Sequence, residues 1–445
     1  MTPPPPGPAP VTAARGGAGA GVPERARPPL LALVEDFPEF FQKEVLERLD
    51  RVDLALLGRA GSAVRTAVKR SGPPRVGGSA EEPRVGIAPF CKSLSTFVWA
   101  VANGCPWQFA DTSRILAEGG HLAVLRWARE HGCPWDAWSC AYAAGAGHLE
   151  VLTWLREQDC PWHKWTSAMA ARSDHLDVLR WARAHDCPWD EVTCAHAAWG
   201  GHLEVLKWAR EHGCRWNEGS CACAAEGGHL EVLKWAREQD CPWDEGSCAH
   251  AAGGGHLEVL KWAREHGCPW DGGTCARAAM GGHLDILQWA REQDCPWDEE
   301  TCARAAGGGH LQVLRWAREH VCPWDAMTCS YAAEGGYLEV LKWAREQGCP
   351  WDEETCSYLA LCGHLEVLKW ARARDCPWDE NTCKAAAEQG HLEVLKWARE
   401  HSCPWDEETC QCAAEGRHME VLRWAIEHGC PVSQMGVQHY EQFLA

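Results

Sequence analysis

Over most of the chain the apolar positions form one block that recurs. In the stretch HLDILQWAREQDCPWDEETCARAAGGG, from His283 to Gly309, apolar residues stand one, three, four, six and seven places after the histidine: Leu284, Ile286, Leu287, Trp289 and Ala290. At roughly 100° per residue they cover an arc of about 220°, against the ~100° stripe of an ordinary surface helix, so this helix is predicted to have neighbours on both sides. Asp285, Gln288, Arg291 and Glu292 fill its remaining face. The helix is predicted to stop before Cys295-Pro296, because proline disfavours helical geometry in the residue ahead of it. Asp298 to Thr301 reads as a turn, with Thr301 as N-cap and two acidic residues ahead of it at the positive end of the helix dipole. A shorter helix, TCARAAGGG, follows. Its packed face is made of small residues, and the glycines at its end supply positive φ.

The leading histidine recurs as His121, His148, His175, His202, His229, His256, His283, His310, His364, His391 and His418, with Tyr337 in the remaining slot. Neighbouring slots are 27 residues apart, without insertion, across all twelve. A fixed period of this size marks stacked repeats. Each unit reads as short helix, tight turn, longer helix and connector, so the predicted fold class is all-α: a helical-repeat solenoid with a small N-terminal helical module. Residues 1–29 read as a disordered Pro/Gly/Ala-rich tail, 30–72 as the helical module and 73–92 as a linker. The array spans 93–430, its first fragment (93–107) one residue out of register, and 431–445 reads as a C-terminal cap.

The pattern T-C-A-x-A-A-x-x-G-H-L-E-V-L-K-W resembles that of ankyrin repeats, T-P-L-H-x-A-A-x-x-G-H-L-E-V-V-x-L-L. An ankyrin unit is about 33 residues long; here the deficit falls mostly in the inter-repeat finger. The resemblance implies a helical pair per unit, with the short helices and turns lining a concave face. Residues 30–72 resemble an F-box: Phe37-Pro38, then Leu49-Asp50, then Asp53-Leu54, then an apolar and basic helix ending near Arg65. Phe40, Ala60-Gly61 and Val64 depart from that family's usual text. An F-box implies docking to a ligase adaptor through Phe37, Pro38, Leu49 and Leu54, and a substrate receptor for a cullin-RING ubiquitin ligase. The other reading of the same helices is a cap that seals the stack.

Lys+Arg is 43 and Asp+Glu is 62, a net charge of −19. Phosphate backbones and anionic lipid attract basic patches, so no nucleic acid and no membrane partner is expected. No run of 18 apolar residues is present to span a bilayer. The 27 cysteines would imply disulfides in a small secreted protein, but residues 1–29 lack the apolar run of a signal peptide. A reducing cytoplasmic or nuclear location is expected; three arginines against one glutamate in that stretch also admit an organelle transit peptide.

The dense Cys, His and Trp raise metal or cofactor chemistry. Packed helices lie roughly 8–10 Å apart, which separates equivalent side chains of successive units too far to share an ion. The cysteines therefore read as small buried apolar residues, the indoles as core, and the leading histidines as bonded to local backbone at a helix start. No nucleophile–base pair, phosphate loop or H-E-x-x-H appears, so no enzyme, cofactor or metal is expected.

What varies between units is confined to a few slots. Six before the leading residue stand Tyr142, His196, His250, Arg277, Arg304, Tyr331 and Tyr358; three before it stands Trp199; the turn slots hold Trp138 and Trp165. Aromatics and arginine suit contacts with a protein partner. These ten residues are the expected binding surface of a monomeric, non-catalytic protein-binding solenoid; drift at exposed positions of duplicated repeats is the other reading.

Overall fold

The computed structural model describes residues 88–102, 105 and 107–432. The chain divides into two compact units at Trp107/Gln108. The first holds, among its described residues, a 3-10 turn at Ala88–Phe90 and a helix at Leu94–Ala102. Phe90 and Cys91 are buried there, within the stretch read as linker, and Phe97 meets Trp107 edge to face. The out-of-register fragment 93–107 thus belongs with this unit by its contacts.

The second unit is a run of helical pairs. Every regular element described in it is helical, from Ala110–Glu118 to Met419–Glu427. Each leading residue is the N-cap of a second helix, such as Leu284–Glu292, and is preceded by a first helix, such as Gly272–Met280. Both are nine residues long, so the expected inequality in length is absent: a longer apolar arc did not lengthen the helix. Both stop by the same device. After the first helix of the next unit, Glu299–Gly307, His310 N–H bonds Ala305 C=O and Gly309 N–H bonds Ala306 C=O, with Gly309 at φ 75°. After Leu284–Glu292, Cys295 N–H bonds Ala290 C=O and Asp294 N–H bonds Arg291 C=O, with Asp294 at φ 58°. These are Schellman closures. The left-handed residue, and not the proline two places on, ends the second helix.

The start of the first helix also differs from expectation. Asp298 is its N-cap, accepting from Glu300 N–H, and Thr301 lies one turn inside, fully buried. An aspartate fills this role in seven units, because a carboxylate both accepts the free N–H and faces the positive end of the dipole.

Packing follows from side-chain size. The first helix buries Thr301, Cys302, Ala303, Ala305 and Ala306; with nothing larger than threonine in the way, first helices lie directly against those of the units before and after. The second helix buries only Ile286, Leu287 and Ala290, against its own first helix. Second helices stand further apart, with clefts of about 390 and 530 Å³ between two successive pairs, walled by Trp235 with Arg210 and by Trp297 with Trp316.

The indoles fill those gaps, and they are half-buried where core was expected. At all eleven junctions the tryptophan after Cys-Pro (Arg215 replaces the proline before Trp216) meets the second-helix tryptophan of the next unit edge to face, at 5.7–6.1 Å between centroids. An arginine covers the outer face of the first ring, as Arg291 does over Trp297 at 4.3 Å, while donating to the Cys295 carbonyl. Edge-to-face pairs contribute about 0.5–1.5 kcal/mol each beyond their area, and exposed cation–π contacts about 0.5–1. The last unit drops both parts: Ile426 replaces the arginine and Val432 the tryptophan.

The leading histidines join units too. In His202, His229, His283 and His364 the bond runs not to local backbone, as expected, but to the unit before: His202 Nε2 donates to Arg172 C=O at 2.9 Å and His283 Nε2 to Gly253 C=O at 3.1 Å. Most of these rings lie over the positive-φ glycine of that unit, as His283 over Gly255, while His202 stands beside Asp174, which takes the same left-handed geometry at φ 65°.

Candidate functional site

Against this frame the varied slots acquire a position. Residues ten, six and three before the leading residue are spaced i, i+4, i+7, one face of the first helix. Burial of the Thr-Cys-Ala-Ala-Ala set turns that face outward. All ten expected surface residues are partly or fully exposed, Trp199 at 38%.

Ring and charge contacts link several of them across units. Trp138 lies 6.2 Å from Tyr142 on its own helix and 6.0 Å from Trp165 on the next. Trp165 meets the His196 ring edge to face at 5.3 Å, and Arg172 lies 4.0 Å over Trp199. Further along, His250 Nδ1 pairs with Glu226 at 3.1 Å. Arg304 is held by Glu300 at 3.0 Å and lies 5.4 Å over Tyr331. Tyr358, close to Glu354, Glu334 and Tyr331, has its phenol pushed up by burial and by those charges. Arg277 and Arg304 wall a depression of about 370 Å³ with Met280, which is 54% exposed. Where the −3 slot is glycine, the next unit's −6 side chain settles onto it: Arg277 Cβ onto Gly253 and Tyr331 Cβ onto Gly307.

The electrostatics change along this face. Burial, then the Arg172 guanidinium, lower the pKa of His196 below the ordinary imidazole value. In the last units the face is acidic: Glu388, Glu415 and Glu408 raise the Cys412 thiol after burial has done so. The face thus runs from aromatic, through arginine, to tyrosine and glutamate.

Phe37, Pro38, Leu49 and Leu54 lie outside the described residues, as do the whole module at 30–72 and all but the first two residues of the cap at 431–445. Among the described residues no helix is long and apolar enough to cross a membrane.

Sequence reasoning missed one constellation. The first-helix cysteine and the cysteine after the second helix meet inside the unit, as Cys221 Sγ with the Cys241 carbonyl at 3.9 Å and Cys356 Sγ with the Cys376 carbonyl at 3.9 Å. In Cys194 and Cys248 the partner thiol first, then burial, hold the proton on. Comparing only equivalent positions of successive units hid this pair; the signal was two cysteines recurring 20 residues apart.

A CXCXC repeat description matches residues 404–413, a short stretch of the last unit. No curated protein matches. Solved structures similar to the chain include a pentatricopeptide repeat protein, PPR10, in complex with an 18-nt psaJ RNA element, at 15% identity and TM-score 0.31, over 90% of this chain and 66% of that one. PPR10 from maize is similar at 14% identity and TM-score 0.28, over 88% and 75%. The human ASB11 ankyrin repeat domain is similar at 16% identity and TM-score 0.29, over 35% of this chain and 84% of that one. The chain is a helical-repeat solenoid. It spans just under two thirds of the first of these structures, and at such scores the likenesses bear on no residue of the solenoid's exposed face. They do correct one expectation. One of these solved structures holds RNA, so nucleic acid is not excluded as a partner. Net charge averages over 445 residues and does not describe any one face, least of all in a solenoid whose arginines recur at one position per unit.

Proposed function

We propose that the solenoid is a non-catalytic, ankyrin-like protein-binding scaffold whose partner lies along the varied face of the first helices. The observation that carries this reading is the division of labour within each unit. Caps, closures, indoles and leading histidines repeat with few changes, while the exposed stripe from Trp138 to Tyr358 changes from unit to unit on first helices that lie side by side. Rigid aromatics and arginine on a fixed backbone lose little entropy on binding, which suits them to hot-spot contacts. A photo-crosslinking residue placed at Tyr331 in the full chain tests this. Expected is a protein adduct from Tyr331 and none from the same residue at exposed Glu258 on a second helix; adducts at Glu258 alone, or only RNA adducts at Tyr331, contradict the reading.

The finer reading is a substrate-recognition subunit of a cullin-RING ligase, with the target on the solenoid and the adaptor on Phe37, Pro38, Leu49 and Leu54. Its support is the F-box resemblance of residues 30–72. Pull-down with the F-box adaptor decides it: binding that is lost on changing Phe37, Pro38 and Leu49 together supports the receptor, and no binding leaves the plain scaffold, located in cytoplasm or nucleus.

A further inference from the structure

One unit departs from its neighbour at the start of the first helix. Asp271-Gly272-Gly273-Thr274 stands where the next unit reads Asp298-Glu299-Glu300-Thr301. The consequence falls on Arg277, which lies four residues after Gly273 and so on the same helix face. Its counterpart Arg304 is held by Glu300, the residue four before it, at 3.0 Å. Glycine offers Arg277 no such partner. Ion pairs on this face join His250 to Glu226 on one side and Arg304 to Glu300 on the other; among the described residues no carboxylate pairs with Arg277. Its aliphatic stem packs over Gly253 of the unit before, while the residue as a whole remains exposed. Gly273 and Ala276 line the depression of about 370 Å³ beside Arg277, Met280, Glu300 and Arg304. With Glu300 committed to Arg304, one guanidinium is in excess there, next to a methionine that is 54% exposed.

We propose that this depression docks an acidic peptide segment of a partner protein, one Asp or Glu carboxylate pairing with Arg277 and a neighbouring apolar side chain resting on Met280. The proposal names the partner chemistry of the binding face and rests on that reading of it. A planar guanidinium with no competing carboxylate matches a carboxylate through two parallel hydrogen bonds, and methionine adapts its shape to the apolar residue beside it. Charge spacing favours a peptide over a polynucleotide. A nucleic-acid strand carries a charge at every nucleotide, and the same face presents Glu226, Glu300 and Glu334 on either side of Arg277. A single uncommitted cation beside one apolar side chain fits one carboxylate beside one apolar residue.

Gly273→Glu tests this without removing anything from the core. It gives Arg277 the partner that Arg304 already has, at a helix position that other units fill with Val192, Glu300, Met327 and Asn381. A Cβ there meets only the Asp271 carboxylate.

Peptides are selected from a randomised display library on the full chain, labelled, and titrated by fluorescence anisotropy against the chain and its variants. Expected are peptides with Asp or Glu next to an apolar residue, a Kd raised about tenfold in R277Q and in G273E and several-fold in M280A, and an unchanged helical signal. Replacing the peptide's acid by its amide should cost about tenfold against the parent and nothing further against R277Q. Peptides that are lost with W138A/W165A/Y331A but are indifferent to R277Q and G273E overturn this proposal and leave the protein-binding reading standing. Peptides indifferent to all of these variants, or none recovered, overturn both. A poly(U) oligonucleotide that is released by R277Q where the peptides are not overturns it in favour of nucleic acid.

Discussion

Val321 occupies the closing position of a second helix that other units give to glycine, aspartate or serine, and it does so at φ 66° with 82% of its surface exposed. A β-branched side chain in the left-handed region is strained, at a cost of roughly 1–2 kcal/mol. Val321→Gly is expected to raise stability by about 1 kcal/mol net of glycine's greater unfolded-state entropy, read as a higher denaturant midpoint at unchanged slope. His196 makes a second claim at this scale. Its folded pKa lies below the ordinary value because burial and Arg172 disfavour the cation. The unfolded chain then binds the proton first, so the contribution of neutral His196 is present above pH ~6.5 and is lost as pH falls through the lowered folded value. Between pH 7 and 5 the melting temperature of H196Q should fall less than that of the unsubstituted chain; an equal fall counts against the burial of this ring.

At the scale of the element, the decisive residues are those whose backbone geometry only a few side chains tolerate. Gly255 and Gly267 share nearly one conformation, φ 82° and 81°. A Cβ at Gly255 would stand 2.6 Å from the His283 ring, whereas at Gly267 nothing lies within 4 Å. G267A is expected to cost roughly 1 kcal/mol from the dihedral alone and G255A about 2 kcal/mol more, since a histidine pinned to Gly253 C=O must move. Equal losses in chemical denaturation would remove the interlocking role given to the leading histidines. Much of the element level was legible beforehand. Apolar spacing located the second helix, the Ala/Cys run the first, and the glycines the end of the first; the end of the second was given to proline and belongs to the left-handed residue. The cap was misassigned to Thr301 because aspartate and threonine are both good N-caps three residues apart, and only burial of Thr301 separates them. The indoles read as core because hydrophobicity alone does not reveal that successive second helices stand too far apart to bury them.

At the scale of the molecule, a stack whose junctions repeat the same contacts should tolerate loss of a unit. Removing Gly272 to Asp298 joins Asp271 to Glu299 and rebuilds the Asp-Glu-Glu-Thr-Cys turn. The shortened chain is expected to fold with unchanged helicity per residue and one cooperative transition; a globular core would not survive such an excision. The period and the helical class were plain in the sequence because every unit restates them. The candidate face was only half legible. Its slots showed as variation, but the joining of Trp138 to Trp165 and of Arg304 to Tyr331 depends on first helices lying side by side, which small residues permit and no single unit displays. The cysteine pairs were hidden for the same reason: each is made by folding the unit back on itself.

The most direct test of the division between frame and face is a peptide-display selection on the full chain, repeated with W138A/W165A/Y331A and with E204A/E231A/E258A on the second helices. The account predicts that the selected peptides lose the first variant, whose melting temperature stays near that of the parent, and keep the second. Peptides that bind the first variant as well as the parent, or that are lost only with the second, would contradict it.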